Sequence, residues 1–152
     1  MTDSEEYRLR SAAWPADIAL LREVREAVFV IEQKVPIELE WDDLDAVCEH
    51  VLAIDNANRP IGTGRLSPDG LIGRMAVLRT CRGMGVGSAI LRLLLAKATA
   101  RKMPQVILNA QISALTFYER FGFITEGPEF MDAGIPHRKM RLKIYKYIRH
   151  SS

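Results

Sequence analysis

The sequence predicts a single α/β domain that covers residues 1–152. The expected architecture is a mixed, mostly antiparallel central sheet of about six to seven strands, flanked by about four helices. Short apolar runs separated by turn-forming residues indicate strands joined as hairpins, and segments with apolar residues at steps of three and four indicate helices. With 48% hydrophobic and 26% charged residues, the chain can bury a core. Only the ends, residues 1–6 and 150–152, are expected to be flexible.

The first half of the chain predicts a strand, a long helix and three more strands. Residues 7–11 alternate weakly as a strand, and the segment from Trp14 to Asp17 provides a break and a helix start. The helix is expected to run to about Gln33 and to end before Pro36, and the acidic stretch up to Asp45 predicts a loop or a short, broken helix. The three strands that follow are predicted at residues 51–54, 61–66 and 71–77.

The second half predicts an amphipathic helix followed by alternating strands and a short helix. The helix carries an apolar stripe made of Ile90, Leu91, Leu94, Leu95 and Ala98, and it is the clearest element in the sequence. After it, we predict strands at residues 105–110, 123–130 and 139–148, and a short helix at residues 114–120.

Charge is distributed unevenly along the chain. The formal net charge of +2 is too small to imply a nucleic-acid partner. Between Lys34 and Arg59 there are seven acidic residues and no Lys or Arg, and an acidic patch there would attract cationic amines. From His137 onward, basic residues predominate over acidic ones. Either run is also compatible with a solvated face.

Two cysteines, Cys48 and Cys81, match no zinc or redox spacing, so we interpret both as reduced thiols. The first thirty residues lack a basic start followed by a continuous apolar run, and nothing resembles a membrane span. A cytoplasmic protein without a membrane partner is expected.

A glycine-rich turn lies between the strand that ends near Val77 and the amphipathic helix. Gly83, Gly85 and Gly87 allow an anion to approach the backbone, and the start of a helix directs N–H groups at one point, so the turn predicts a phosphate site. A P-loop is excluded because Ser88 follows the last glycine without a lysine. A dinucleotide fold is disfavoured because no acid lies roughly twenty positions further on.

Arg82-Gly83-Met84-Gly85-Val86-Gly87 resembles the Gln/Arg-x-x-Gly-x-Gly/Ala signature of the GNAT acetyltransferase superfamily. A second segment agrees, since Asn109, Ala114 and the run Phe117 to Phe123 look like the downstream motif of that superfamily. More narrowly, three further segments are similar to the ElaA and YjcF branch: residues 28–33, His50 and residues 134–140. The resemblance spans residues 25–142.

This resemblance implies a GNAT-like fold and acetyl-CoA as co-substrate, with no metal. It implies that the N–H of Val77, at a point where the strand diverges from the next, binds the thioester oxygen, and that Tyr118 gives a proton to the departing thiolate. Tyr118 could instead simply pack among neighbouring aromatic residues. The residues implied in coenzyme binding are Met75, Ala76, Val77, Arg82, Gly83, Met84, Gly85, Val86, Gly87, Ser88, Asn109 and Tyr118.

The acceptor amine must lose a proton before it attacks, and the sequence leaves the base open. The main candidates for the base are Glu32 and His137. His50 is a further candidate, and Asp132 is a weaker one. The predicted substrate-binding residues are Glu32, Gln33, His50, Asp132 and His137. Acids of the patch, such as Asp42 and Asp43, could contact a cationic substrate or merely solvate a loop.

The leading hypothesis is an N-acetyltransferase that acts on a primary amine of a small molecule or peptide, by direct attack in a ternary complex. The alternative is a non-catalytic acyl-CoA-binding sensor or interaction module of the same fold. Nucleic-acid binding through the basic C-terminal strand is a weaker third hypothesis. A homodimer is compatible with the sequence.

Overall fold

The computed structural model describes residues 6–144, which form seven strands and four α-helices and confirm the predicted fold class. The strands are β1 (Tyr7–Ala12), β2 (Glu49–Asp55), β3 (Pro60–Leu66), β4 (Ile72–Val77), β5 (Gln105–Gln111), β6 (Ile124–Asp132) and β7 (Ile135–Lys143). The α-helices are α1 (Ile18–Arg25), α2 (Ile37–Glu40), α3 (Val86–Ala100) and α4 (Leu115–Glu119). The flexibility predicted for the two ends falls almost entirely on residues 1–5 and 145–152, which lie outside the described residues.

The strands form two antiparallel sheets rather than one continuous sheet. The first has the order β1-β2-β3-β4 and the second the order β5-β7-β6. They meet where Leu71 and Ile107 form a parallel bridge and the N–H of Ile107 donates to the carbonyl of Gly70 over 2.9 Å. Beyond that bridge β4 and β5 separate, since β4 pairs with β3 and β5 pairs with β7.

Two predicted element boundaries differ from the structure. The first long helix is α-helical only to Arg25 and continues as a π-helix over Glu26–Glu32. The strand predicted at 139–148 already begins at Ile135, and its predicted last residues, 145–148, lie outside the described part of the chain. Pro136 hides this early start, because proline is rare inside strands and breaks the apolar pattern.

The core forms where α3 packs against β3. Ile90 and Leu94 are fully buried, as the apolar stripe predicts. A Cβ added to Gly62 or Gly64 would lie 2.8 Å from a side-chain carbon of Ile90, closer than real carbon atoms approach. The two glycines therefore allow α3 to lie directly on the strand.

A cluster of buried ion pairs joins α1, β3 and the acidic segment. Arg25, Asp45 and Arg65 have relative exposures of 1%, 1% and 4%. The Asp45 carboxylate accepts hydrogen bonds from Arg25 Nη1 over 2.9 Å and from Arg65 Nη1 over 2.8 Å. Arg25 Nε also donates to Glu40 over 2.7 Å, and Arg65 Nη2 donates to Asp42 over 2.9 Å.

Most carboxylates of the acidic segment are therefore held by arginines, which disfavours the amine-attracting surface that the charge run suggested, while Glu38 and Asp43 are exposed. Asp42 also accepts from the N–H of Leu44, which caps the 3₁₀-helix Asp43–Ala46. Further along, Glu49 pairs with Arg101 over 2.7 Å. The cations come from distant parts of the chain, which a count along the sequence does not include.

The basic C-terminal run is also partly neutralised. Arg141 donates two hydrogen bonds to Glu126 across the β6–β7 pair, and Lys139 lies 3.4 Å from the same carboxylate. The single carboxylate of Glu126 thus offsets part of the positive strip on which the nucleic-acid hypothesis depended, and Lys146 and Arg149 of that strip lie outside the described residues.

The cluster yields a stability prediction. Changing Asp45 to Ala leaves the buried guanidinium groups of Arg25 and Arg65 without their shared carboxylate, and breaking a buried ion pair in this way costs roughly 3–5 kcal/mol. Urea denaturation should show a much lower unfolding midpoint for the variant. The matched control is Asp43→Ala, at an exposed residue two positions earlier. An equal shift in both variants would contradict the structural role assigned to Asp45.

Candidate acyltransfer site

A cavity of about 520 Å³ opens where β4 and β5 separate. Its wall includes the end of the π-helix, β4, β5, α4 and the β6–β7 turn. Ten of the residues predicted from the sequence line it: Gln33, Met75, Ala76, Val77, Arg82, Gly87, Asn109, Tyr118, Asp132 and His137.

The register of β4 directs the N–H of Val77 into the gap between the sheets. Val77 lies opposite Gly62 on β3, and the next residue, Leu78, donates its N–H to the Ile61 carbonyl over 2.9 Å. Hydrogen-bonded and non-hydrogen-bonded pairs alternate along an antiparallel ladder, so the Gly62–Val77 pair is non-hydrogen-bonded. The N–H of Val77 therefore points away from β3. The register shifts earlier in β4, close to Arg74, whose φ is 50°.

The glycine-rich turn presents the N-terminus of α3. Gly83 and Gly85 have φ values of 83° and 82°, a conformation that favours glycine. Gly85 is the N-cap residue and no side chain caps the helix, so the N–H groups of its first turn have no intrahelical acceptor. No heavy atom lies within 4 Å of a Cβ built at Gly83, which leaves open space beside the turn. Met84, Val86 and Ser88 belong to the same turn and helix start but do not line the cavity.

Arg82 bridges the turn, the π-helix and β4. Its guanidinium donates two hydrogen bonds to Glu32, of 2.7 and 2.6 Å, and its Nε donates to the Val77 carbonyl over 3.1 Å. The bond to Arg82 lowers the pKa of Glu32 below its ordinary value. Glu32 is thus held as a carboxylate, and its affinity for a further proton is weakened. Its predicted role as a base stays a prediction that this pairing disfavours.

Tyr118 is half-buried in the cavity wall beside β4. Its hydroxyl donates to the sulfur of Met75 over 3.7 Å, and its ring makes edge-on contacts with Phe117 and Phe123. Burial raises the pKa of Tyr118 to about 12, so the phenol keeps its proton at neutral pH. The residue belongs to the aromatic cluster and still presents a proton to the cavity, so the two sequence interpretations are compatible.

His137 lies on β7, across from Gln111, and lines the cavity. Its Nδ1 is 2.7 Å from the Ile135 carbonyl, and its ring stacks on Phe130. A carbonyl oxygen only accepts, so Nδ1 must carry a hydrogen. In the neutral ring, Nε2 is then the unprotonated nitrogen and is available to accept a proton.

His50 does not reach the cavity, contrary to the substrate contact predicted for it. It is 2% exposed, its ring stacks on Trp14, and its Nε2 lies 2.7 Å from the Asp45 carbonyl. Burial lowers its pKa. This placement fits an internal support for the acidic segment, and one histidine in a buried strand carries no signal that distinguishes the two roles.

Several cavity residues were missed by sequence reasoning. Arg74 and Glu40 line the wall, and Gln111 donates to Gln33 over 2.9 Å across the opening. Gln111 could have been found from its position two residues after Asn109 on the same strand, where side chains share a face. Arg74 and Glu40 carry no such periodic signal.

Within residues 6–144, no group of three or more His, Cys, Asp or Glu residues is arranged to hold a metal ion. The helices of the same region are too short or too polar to cross a membrane.

Comparison with known proteins shows to which family the chain belongs. Residues 24–144 match the family described as the acetyltransferase (GNAT) domain. The chain is 41% identical over 121 residues to the protein named uncharacterized N-acetyltransferase YjcF of Bacillus subtilis, covering 77% of this chain and 86% of the relative. The crystal structure of Escherichia coli ElaA superposes with a TM-score of 0.79 at 28% identity, covering 90% of this chain and 99% of that one.

An acyl-CoA N-acyltransferase from Pseudomonas aeruginosa has a similar structure, with a TM-score of 0.77 at 28% identity over 90% of this chain and 97% of its own. The match to the family model and the identity to YjcF each cover most of the chain. The protein therefore belongs to the GNAT acetyltransferase family, in the branch of ElaA and YjcF.

Proposed function

We propose that this GNAT acyltransferase is an N-acetyltransferase that moves the acetyl group of acetyl-CoA to a primary amine of a small molecule or peptide, by direct attack in a ternary complex. The observation that carries the proposal is the meeting of three groups around one cavity: a strand N–H directed into a gap, an uncapped helix N-terminus that reaches the cavity at Gly87, and a half-buried phenol. These are a donor for an oxyanion, a binding point for phosphate and a proton source. The cytoplasmic location expected from the sequence stays a prediction.

The coenzyme fits the residues present on physical grounds. A helix N-terminus with free N–H groups stabilises a phosphate, and the open space at Gly83 allows it to approach the backbone. The pantetheine arm would then follow the unpaired edge of β4, with Asn109 on the facing strand. The N–H of Val77 would donate to the thioester oxygen, on which negative charge grows as the amine attacks.

Proton transfer can be assigned to two groups of the cavity wall. The amine, with an ordinary pKa near 10.4 if it is a lysine-like amine, must first lose a proton, and Nε2 of His137 is the acceptor we favour over the paired carboxylate of Glu32. A carbon–nitrogen bond then forms, the carbon–sulfur bond breaks, and the thiolate takes the proton of Tyr118. The proton that the nitrogen loses as it becomes an amide restores the phenol. The acetylated amine and free coenzyme A are the products.

The first test is calorimetry with acetyl-CoA, followed by a thiol assay with a panel of amines. Binding together with amine-dependent release of free coenzyme A thiol is expected. Binding without thiol release from any amine would instead support the non-catalytic module, and absence of binding at high micromolar coenzyme would end both hypotheses.

The role of Tyr118 is tested by its change to Phe. Removing the hydroxyl should lower kcat roughly 100-fold, the lower end of what general acids contribute, while the Kd for acetyl-CoA stays close to that of the wild type. Thr116→Ala, which removes a hydroxyl from an exposed residue of the same helix that does not line the cavity, should keep wild-type turnover. Full kcat in a folded Tyr118→Phe variant would contradict the acid role, and loss of the folded circular dichroism spectrum would show instead that Tyr118 is needed for packing.

The pH dependence follows from the raised pKa of Tyr118. Because that pKa is about 12, the phenol stays protonated up to pH 10, while the acceptor amine becomes increasingly neutral. We expect kcat/KM to rise with pH and to show no alkaline decline below pH 10. A decline centred near pH 8 or 9 in the wild type, absent from Tyr118→Phe, would contradict the burial effect on this phenol.

A further inference from the structure

Arg74 is the most exposed of the three arginines of the buried cluster, and it lines the cavity together with Arg65. Its side chain is 26% exposed, whereas those of Arg25 and Arg65 are 1% and 5% exposed. It lies at the register shift in β4 with a φ of 50°, a conformation that is costly for a residue with a Cβ. A bulge of this kind redirects a side chain, here into the cavity wall.

The carboxylates near Arg74 are already engaged with closer partners. Glu40 Oε1 is 2.7 Å from Arg25 Nε but 3.3 Å from Arg74 Nε. Asp42 accepts two hydrogen bonds of 2.8 and 2.9 Å from Arg65, while Arg74 Nη2 reaches it over 3.2 Å. Arg74 thus shares two carboxylates that other guanidinium groups hold more tightly.

The charge of Arg74 is correspondingly less compensated by the protein. Burial lowers the pKa of Arg74, whereas hydrogen bonds to Asp42 and Asp45 raise that of Arg65 despite its burial. Burial also raises the pKa of Glu40. An additional anion in the cavity would therefore be stabilised next to Arg74.

The geometry of Arg74 leaves donors for such an anion. Its hydrogen bonds within residues 6–144 use Nε, to the Glu40 carbonyl, and Nη2, to Leu39 and Asp42. Those contacts leave Nη1 for a ligand. The cavity wall also contains Asp132, an exposed carboxylate at the end of β6, so the cavity offers a cation and an anion to the same molecule.

We propose that Arg74 binds a carboxylate of the acceptor, so that the amines acetylated by this protein are carboxylate-bearing amines such as amino acids. The inference rests on the proposed N-acetyltransferase function, whose acceptor it specifies. Nη1 of Arg74 can donate to a carboxylate oxygen, and a hydrogen bond between a guanidinium and a carboxylate is charge-assisted and therefore strong. The amine end of the same molecule would lie towards Asp132 and His137.

The test compares matched acceptors on the wild-type protein. Amino acids with the amine in the α, β or γ position are assayed beside the carboxamide of each, with rates expressed per unprotonated amine because the amide group alters the amine pKa. We expect kcat/KM to be at least about tenfold higher for the carboxylates, which corresponds to one good charge-assisted interaction. Equal use of the carboxamides, or a preference for them, would overturn the proposal while leaving the acetyltransferase function intact.

Variants then locate the preference at Arg74. Arg74→Met should raise the KM for carboxylate acceptors about tenfold and leave the KM for acetyl-CoA unchanged. The ratio of kcat/KM for the carboxylates to kcat/KM for the carboxamides should fall towards one. Arg74→Lys should restore part of the ratio. Both replacements keep a Cβ, so the strain at the bulge is the same. Arg59→Met, at a side chain 75% exposed in the β2–β3 turn, is the control and should keep the wild-type ratio.

Two further outcomes separate this inference from the proposed function. If no amine is acetylated, calorimetry of the coenzyme A complex with the same amino acids still reports on Arg74: binding that is weakened in Arg74→Met supports the carboxylate site, and no binding overturns it. If Arg74→Met instead raises the KM for acetyl-CoA, or lowers both acceptor rates equally, Arg74 serves the coenzyme or the fold and the proposal is wrong.

Discussion

The separation of β4 from β5 is the constraint on which the rest of the structure depends. A strand edge in a protein interior is costly because its backbone N–H and carbonyl groups lose their partners. Here each of the two strands is paired on its other side, β4 with β3 and β5 with β7, so both stay in place while a gap opens between them. The gap contains polar backbone groups that a ligand can satisfy. Each sheet is thus stable, although its edge at the gap has no neighbouring strand among the described residues.

Ion pairs and hydrogen bonds of arginine side chains hold β4 in position beside the gap. The bulged residue Arg74 contacts the carbonyls of Leu39 and Glu40, and Glu40 is joined in turn to Arg25 of α1. At the other end of β4, Arg82 connects the Val77 carbonyl to Glu32 of the π-helix. Both ends of the open strand are therefore fixed to the same helical segment. The Arg25–Glu40 pair is buried, whereas the Arg82–Glu32 pair is exposed, and neither kind of pair is strong evidence of net stability.

Local signals predicted much of this fold, and long-range contacts account for what they missed. The stripe through Ile90 and Leu94 and the positive φ values at Gly83 and Gly85 depend on neighbouring residues, so they could be predicted from the sequence. The acidic segment could not, because the arginines that neutralise it come from other elements of the fold. The same holds for the role of His50, since only the fold brings Trp14 against its ring.

The site contains two kinds of polar group, and their difference explains the chemistry assigned to each. Glu32 and Arg82 already satisfy one another, so a reaction that changed the charge of either would first have to break a short ion pair. Tyr118 and Nε2 of His137 take no part in such an ion pair, so a proton can be exchanged at either group without breaking the contacts that hold the strands. Arg74 is intermediate, since its charge is fixed but incompletely paired. A fixed, under-compensated charge cannot transfer a proton, but it can orient a substrate that brings the missing counter-charge.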